Sequence, residues 1–265
     1  MNAWRLIIDS ARPGPENMAL DEAHFASARE AGAPTLRLYA FDPPTVTIGR
    51  FQDPESFLDR ARCESAGVQV VRRPTGGLAI LHKDDLTYAF TAPLQGARDG
   101  ARDRYFAMVA QGILQGLRLL GIDAGSAAHN NFDRGPGWCF DGEFGVDLSW
   151  RSRKICGSAQ RISGEAVLQH GSVFLADNSG MMERISVAGA TDRPASGFVA
   201  LDEAAGRALT FEQVARAVSQ GFEMSLGISL EPVEVGERET GAAAVLLGSR
   251  YACGAWERAS GVMSL

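Results

Sequence analysis

The sequence predicts an α+β fold, a mixed, largely antiparallel sheet flanked by helices, and three observations carry that prediction. Between Val68 and Phe90, VQVVRRPTGGLAILHKDDLTYAF, three short apolar runs follow one another with only a glycine loop and a polar turn between them. From Val146 to Leu175, three longer runs are separated by the tight turns Arg151-Ser152-Arg153 and Ser163-Gly164, the pattern of an antiparallel meander. Elsewhere apolar residues recur at helical spacing, most plainly Phe106, Val109, Ile113, Leu117 and Leu120.

Taken in order, Trp4 to Ile8 reads as an opening strand and Pro15 to Ala31 as a helix, with Pro and Glu in its first turn and small Ala19, Ala23 and Ala26 suited to close packing. Its acidic pair Asp21-Glu22 reads as a solvated face or an internal ion pair. Leu36 to Tyr39 and Val46 to Ile48 are short strands on either side of Pro43-Pro44, and Pro54 to Ala66 is a second helix carrying Cys63. After the buried strand Val68 to Val71 comes the loop Pro74-Thr75-Gly76-Gly77. Its glycines let backbone approach a ligand and turn N–H groups toward an anion or a carbonyl oxygen. Leu78 to Leu81 and Leu86 to Phe90 are strands, Ala101 to Leu120 a long helix, and Asp123 to Phe144 an irregular excursion of the kind that often carries function. The meander follows as Val146 to Trp150, Lys154 to Arg161 and Ala166 to Leu175. Then come a helical piece at Met181 to Ile185, a loop from Thr191 to Gly197, a helix from Phe211 to Leu226, a strand near Ile228 to Val235 and a helix through Glu237 to Tyr251. Residues 1–265 read as a single domain, with 200–265 a C-terminal helical extension.

A chain of 265 residues with 45% hydrophobic content can bury a substantial core. No apolar run approaches a membrane span or the core of a signal peptide, so the expectation is a soluble, cytoplasmic protein. The cysteines at 63, 139, 156 and 253 show no CxxC spacing, and no His/Cys/Asp cluster has metal-ligand spacing, so no metal or cofactor is expected. A net charge of −6 argues against nucleic acid as a partner and leaves acidic proteins to local basic patches. Of 26 Lys and Arg residues only Lys83 and Lys154 are lysine. A partly desolvated lysine can release its proton at accessible pH, which arginine cannot.

The run RRPTGG followed by AILHKDDLTYAF resembles the signature of the lipoate–protein ligase and octanoyltransferase superfamily, distant kin of the biotin–protein ligases. ENMALDEA at Glu16, PTLRLY at Pro34, TIGRFQD at Thr47, KICGSAQR at Lys154 and LQHGSVFL at Leu168 add to it, and about two thirds of the chain is covered. The resemblance implies a biotin/lipoate–protein ligase catalytic fold. It also implies a substrate site around Arg72, Arg73, Gly76, Gly77, Leu78, His82, Gly157, Ser158, Ala159 and His170, with the two histidines in supporting roles. The sequence departs from the family pattern in DGEFGVDL after Cys139-Phe140, which lacks the usual Pro-Ser, and in Leu78, where arginine is common.

Cys139 and Lys154 lie on the two sides of a loop and a hairpin arm, close enough to meet. On the residues alone two readings stand: a buried loop cysteine beside an unrelated lysine, or a thiolate stabilised by an ammonium that later takes a proton from an amine. The resemblance implies the second, because members of the cysteine-loop type carry a nucleophile in a Cys-Phe dipeptide and a lysine in K-I-x-G-S-A-Q. Cys156 is a rival nucleophile. The activity so implied is octanoyl transfer from octanoyl-acyl-carrier protein to a lysine of a lipoyl domain or glycine cleavage H protein, without ATP. An ATP-dependent lipoate–protein ligase, an octanoyl amidotransferase between carrier proteins and a silent acyl-binding protein are the alternatives. An acyl slot walled by Leu78 or Ile80, and docking of acidic carriers on Arg102, Arg104, Arg151 and Arg153, complete the expectations.

Overall fold

The computed structural model describes residues 3–129, 137–139, 145–188 and 197–251. In chain order the elements are β1 (Ala3–Ile8), α1 (Gly14–Ala31), β2 (Thr35–Tyr39), β3 (Thr45–Ile48), α2 (Arg60–Ser65), β4 (Gln69–Arg72), β5 (Ile80–His82), β6 (Asp85–Pro93) and α3 (Ala101–Leu119). They continue as β7 (Gly125–His129), β8 (Gly145–Trp150), β9 (Arg153–Ser163), β10 (Ala166–Phe174), α4 (Ser179–Ile185), α5 (Leu201–Ala205), α6 (Phe211–Leu226), β11 (Ser229–Pro232) and α7 (Glu237–Leu246).

Eight strands form one sheet in the order β11-β1-β2-β6-β10-β9-β8-β7, and β4-β3-β5 form a smaller one. β1 runs parallel to β11 and β2, and the remaining neighbours of the large sheet are antiparallel. The α+β, largely antiparallel expectation is met. One face of the large sheet packs on α3 and α6 through Leu36, Tyr88, Phe90, Val109, Ile113, Leu117 and Phe222. The two helices meet at glycines: a Cβ on Gly221 would stand 2.3 Å from the Gly116 nitrogen and 2.4 Å from the Gly112 oxygen. The other face lies against α1, with Met18, Ala19, Ala23, Tyr39 and Leu168 in contact. A third cluster, around Val46, Phe57, Leu81, Trp138, Phe174 and Phe198, fills the space at the small sheet.

Several expected elements change form. The helix expected over Pro54 to Ala66 is a short 3-10 turn, Pro54–Ser56, followed by α2, because Asp53 caps the first (3.3 Å to the Glu55 nitrogen) and Asp59 caps the second (3.0 Å to the Arg62 nitrogen). Between them Phe57 and Leu58 are buried, and the Asp59 N–H goes to the Ile185 carbonyl. The excursion expected over Asp123 to Phe144 contains β7, and beyond it only Gly137, Trp138 and Cys139 are among the described residues. The loop expected over Thr191 to Gly197 falls outside them too, except for Gly197. The segment read as a C-terminal helical extension supplies β11 to the sheet edge, and its α6 packs on α3. Cys253 is not among the described residues. No described helix is long and apolar enough to cross a membrane.

Candidate active site

Cys139 is placed by backbone. The Ala79 N–H donates to the Gly137 carbonyl at 2.9 Å and the Cys139 N–H to the Ala79 carbonyl at 2.8 Å, so Gly137–Cys139 rides along the chain entering β5. Trp138 anchors the segment. It is fully buried, donates Nε1–H to Ser186 Oγ at 3.1 Å and meets Phe57 edge-on at 5.6 Å.

Lys154 is placed by a hairpin and a bulge. Arg151 and Ser152 make the β8–β9 turn, both at positive φ (49° and 64°), the conformation that two-residue hairpins need. The register then slips by one: Ser149 faces Lys154 but Leu148 faces Cys156, leaving Ile155 as an extra residue. Such a bulge re-aims side chains. Ile155 and Cys156 both enter the core against α3, whereas Lys154 shares the opposite face with Gly157, three residues on. Lys154 Nζ lies 3.2 Å from the Cys139 carbonyl oxygen and 3.5 Å from its Sγ, with both side chains buried. A Cβ at Gly157 would come within 3.3 Å of Sγ and 3.4 Å of Lys154 Cε, so glycine leaves the pair its space. Cys156, the rival thiol, is 1% exposed and on the far face.

The arginine doublet divides, as neighbours on a strand must. Arg72 Nη1 donates to the carbonyls of Gly49, Arg50 and Gln52 and supports the turn beside the small sheet. Arg73 turns inward, buried, and donates to Gly76 O and Leu78 O (2.7 Å each) and to Thr47 O (3.0 Å). It thereby shapes the glycine loop: Gly77 sits at φ +87°, and a Cβ on Gly49 would meet the Gly77 oxygen at 1.9 Å. The N–H groups of Gly76, Gly77 and Leu78 make no hydrogen bond to another described residue. Burial pulls the Arg73 proton affinity down to about 10, and negative charge at Cys139 opposes that pull.

Two carboxylate–imidazole–hydroxyl chains reach Arg73 from opposite sides. Asp21 meets His170 Nδ1 at 3.0 Å, and His170 Nε2 meets Thr75 Oγ1 at 2.6 Å. Asp85 meets His82 Nδ1 at 2.7 Å, and His82 Nε2 meets Thr47 Oγ1 at 2.9 Å. An ionised carboxylate only accepts, so each Nδ1 donates and each Nε2 accepts from a threonine hydroxyl. Thr75 Oγ1 in turn accepts from Arg73 Nε at 3.2 Å. Burial favours a higher pKa for Asp21, but the His170 hydrogen bond, the Arg37 charge and the Tyr39 hydroxyl outweigh it and hold the carboxyl below its ordinary value. The Asp21-Glu22 pair is thus internal: Asp21 binds Arg37 at 3.0 Å, and Glu22 binds Tyr251 and Arg250.

Beneath the loop lies a cavity of ≈ 20 Å³, room for about one water, walled by Met18, Phe41, Ile80, Ala159, His170 and Gly171. Of the expected wall residues Ile80 lines it, and Leu78 packs instead with the cluster at the small sheet. The structure brings Cys139, Lys154, Gly157 and Ile80 together, with Arg73, Gly76, Gly77, Ala159, His82 and His170 next to them. Ser158 points away, to Tyr88 at 2.7 Å. Sequence reasoning gave no site role to Gly49, Thr47, Thr75, Asp21 and Asp85, although all five stand inside the quoted motifs TIGRFQD, RRPTGG, ENMALDEA and AILHKDDLTYAF.

The lipoyl protein ligase A/B catalytic domain matches residues 13–223. The octanoyltransferase LipM of Symbiobacterium thermophilum is 35% identical over 270 residues, covering 96% of this chain and 97% of the relative. That of Geobacillus kaustophilus is 34% identical over 270 residues, with the same coverage of 96% and 97%. Among solved structures, a lipoate-protein ligase A bound with ATP superposes with a TM-score of 0.82 at 23% identity, covering 97% of this chain and 98% of the other. A bi-partite lipoate protein ligase from Thermoplasma acidophilum, studied with its E2 lipoyl domain, gives 0.82 at 20% identity with both chains fully covered (100% each).

Proposed function

Since this chain belongs to the lipoyl protein ligase A/B catalytic-domain family and is an acyltransferase, we propose that it moves an octanoyl group from a carrier-protein thioester to a lysine of a lipoyl-domain or glycine cleavage H protein, through an acyl-cysteine at Cys139. The observation that carries this reading is the buried pair, Lys154 Nζ at 3.5 Å from Cys139 Sγ. A ligase working through an acyl-adenylate has no use for the thiol.

In the first half-reaction Cys139, as thiolate paired with the Lys154 ammonium, attacks the donor carbonyl. The oxygen gains charge facing the N–H groups of the Gly76–Leu78 segment, which Arg73 holds in place by their carbonyls. The donor C–S bond breaks, and the leaving carrier thiol takes a proton from Lys154. The now neutral Lys154 then receives the proton of the attacking acceptor amine as the amide bond forms and the Cys139 C–S bond breaks. That restores ammonium and thiolate. Thioester becomes amide, a downhill exchange that needs no ATP. The cavity beside Ile80 is too small for an alkyl chain as it stands, so the acyl group parts its walls, and the flexible Met18 is the side chain best able to give way.

Intact mass spectrometry tests the reading. With octanoyl carrier protein and no ATP, the wild type should gain one octanoyl group, Cys139→Ser should gain none, and adding the acceptor should clear the label. A label on Cys156, or acylation only with ATP, would overturn it.

A further inference from the structure

At Pro74, Thr75 and Gly76 of the glycine loop, this acidic chain carries a basic face. Arg50, Arg98, Arg102 and Arg161 line an open cleft of ≈ 630 Å³ that includes Thr75 and Gly76, and Asp99 is the acidic side chain among the lining residues. Phe51 stands in the same cleft 85% exposed, with the Arg50 guanidinium 5.4 Å from its ring centre. Positive charge is crowded here. Burial and then the charges of Arg161 and Arg250 lower the Arg50 proton affinity, with Glu22 opposing. Glu22 is engaged by Arg250 and by the Tyr251 hydroxyl and comes only within 3.8 Å of Arg161 Nη1. That Nη1 is buried and makes no hydrogen bond among the described residues.

A wide cleft with arginines around an exposed aromatic has the make-up of a protein interface rather than of an enclosed small-molecule site. Three of the four arginines expected from the sequence to dock carriers are otherwise engaged. Arg104 donates to the carbonyls of Gln95, Ala97 and Asp99, and Arg153 to Phe198 O and Glu203. Arg151 stacks on Trp150 at 4.2 Å, and of the expected set Arg102 lines the cleft.

We propose that this face docks the acidic carrier protein that brings the acyl group, its carboxylates meeting Arg50, Arg98 and Arg102 and an apolar side chain covering Phe51. The proposal rests on the reading above that the donor is a carrier-bound thioester. From the cleft, the carrier's prosthetic arm crosses the glycine loop to reach Cys139.

The test compares two donors, octanoyl carrier protein and protein-free octanoyl-pantetheine, with the Arg98→Glu/Arg102→Glu double variant and with Phe51→Ala. For the carrier at low salt, the double variant should raise KM roughly tenfold at nearly constant kcat and lose most of the wild-type salt dependence. Phe51→Ala should raise KM at any salt. With octanoyl-pantetheine, kcat/KM should match wild type in both variants. An unchanged KM for the carrier, an equal loss with octanoyl-pantetheine, or a rise confined to KM for the acceptor protein would overturn the docking assignment while leaving the acyl-cysteine reading intact. Failure of the wild type to be acylated by either donor would refute that reading, and the docking assignment with it.

Discussion

Replacing Lys154 by arginine separates the two duties proposed for one nitrogen. Nζ sits 3.2 Å from the Cys139 carbonyl and 3.5 Å from Sγ. Its charge-assisted contacts are each worth about 1.5–3 kcal/mol, so removing the cation should slow acylation on the order of tenfold to a hundredfold. Proton transfer in the second half-reaction is a separate contribution of roughly 10²–10⁴ in rate. Arginine keeps the charge but cannot take the amine's proton. Lys154→Arg should therefore acylate at a reduced but measurable rate and deacylate at least a hundredfold more slowly, so octanoyl-enzyme accumulates. Lys154→Ala should be slow in both steps. The assay is single-turnover quench with intact-mass readout, first with donor alone and then with acceptor added to isolated acyl-enzyme. If Lys154→Arg slowed both half-reactions by the same factor, or passed its acyl group on at the wild-type rate, the division of labour argued here would be refuted.

Shortening the donor from octanoyl to hexanoyl removes two buried methylenes, about 1.6 kcal/mol and more than tenfold in kcat/KM if Ile80 and its neighbours close on the chain; equal kcat/KM would exclude a closed slot. Ser152 holds a left-handed conformation at φ 64° that asparagine tolerates better, so Ser152→Asn should stabilise the protein by about 0.5 kcal/mol in urea unfolding. A lower midpoint would contradict this. Burial, then the Arg37 charge, holds the His24 imidazole down to about 4, against 6.5 for the unfolded chain. The native state therefore keeps it neutral while the unfolded chain binds a proton. That stability is present above pH 6.5 and drains away as pH falls toward 4, about 3 kcal/mol in all. His24→Leu should flatten the unfolding free energy over that window, and a slope equal to wild type would disprove the assignment.

What could be read from the sequence was what repeats or breaks a period. The stripe from Phe106 to Leu117, the meander turns at Arg151-Ser152 and Gly164, and the helix from Phe211 to Leu226 all appear where expected. β7, GSAAH, has no apolar alternation because it is an edge strand held by backbone pairing to β8, and five-residue α5 is too short to show a helical period. Two aspartates six positions apart, Asp53 and Asp59, were visible as caps and would have divided the expected helix. The candidate site could be picked out where its chemistry is written in side chains, at Cys139, Lys154 and the glycine loop. It was illegible where backbone or distance does the placing. The bonds between Cys139 and Ala79 have no residue signature, and Asp21 and His170 stand 149 positions apart. The doublet Arg72-Arg73 looked like one unit, although strand alternation already sends its members to opposite sides.

The bulge at Ile155 makes the site depend on counting. Lys154 and Gly157, three positions apart, share a face because one residue too many lies between the pairings at Ser149 and Leu148. Deleting Ile155 would restore strict alternation and still leave Lys154 on the face of Gly157, then two positions away, with Cys156 alone on the apolar side. Ironing out the bulge with Ile155 kept would do the opposite: residues three positions apart on a regular strand face opposite ways, so the ammonium and the glycine that leaves it room would part. The extra residue thus lets one strand send two successive side chains, Ile155 and Cys156, into the core without turning Lys154 away from Cys139.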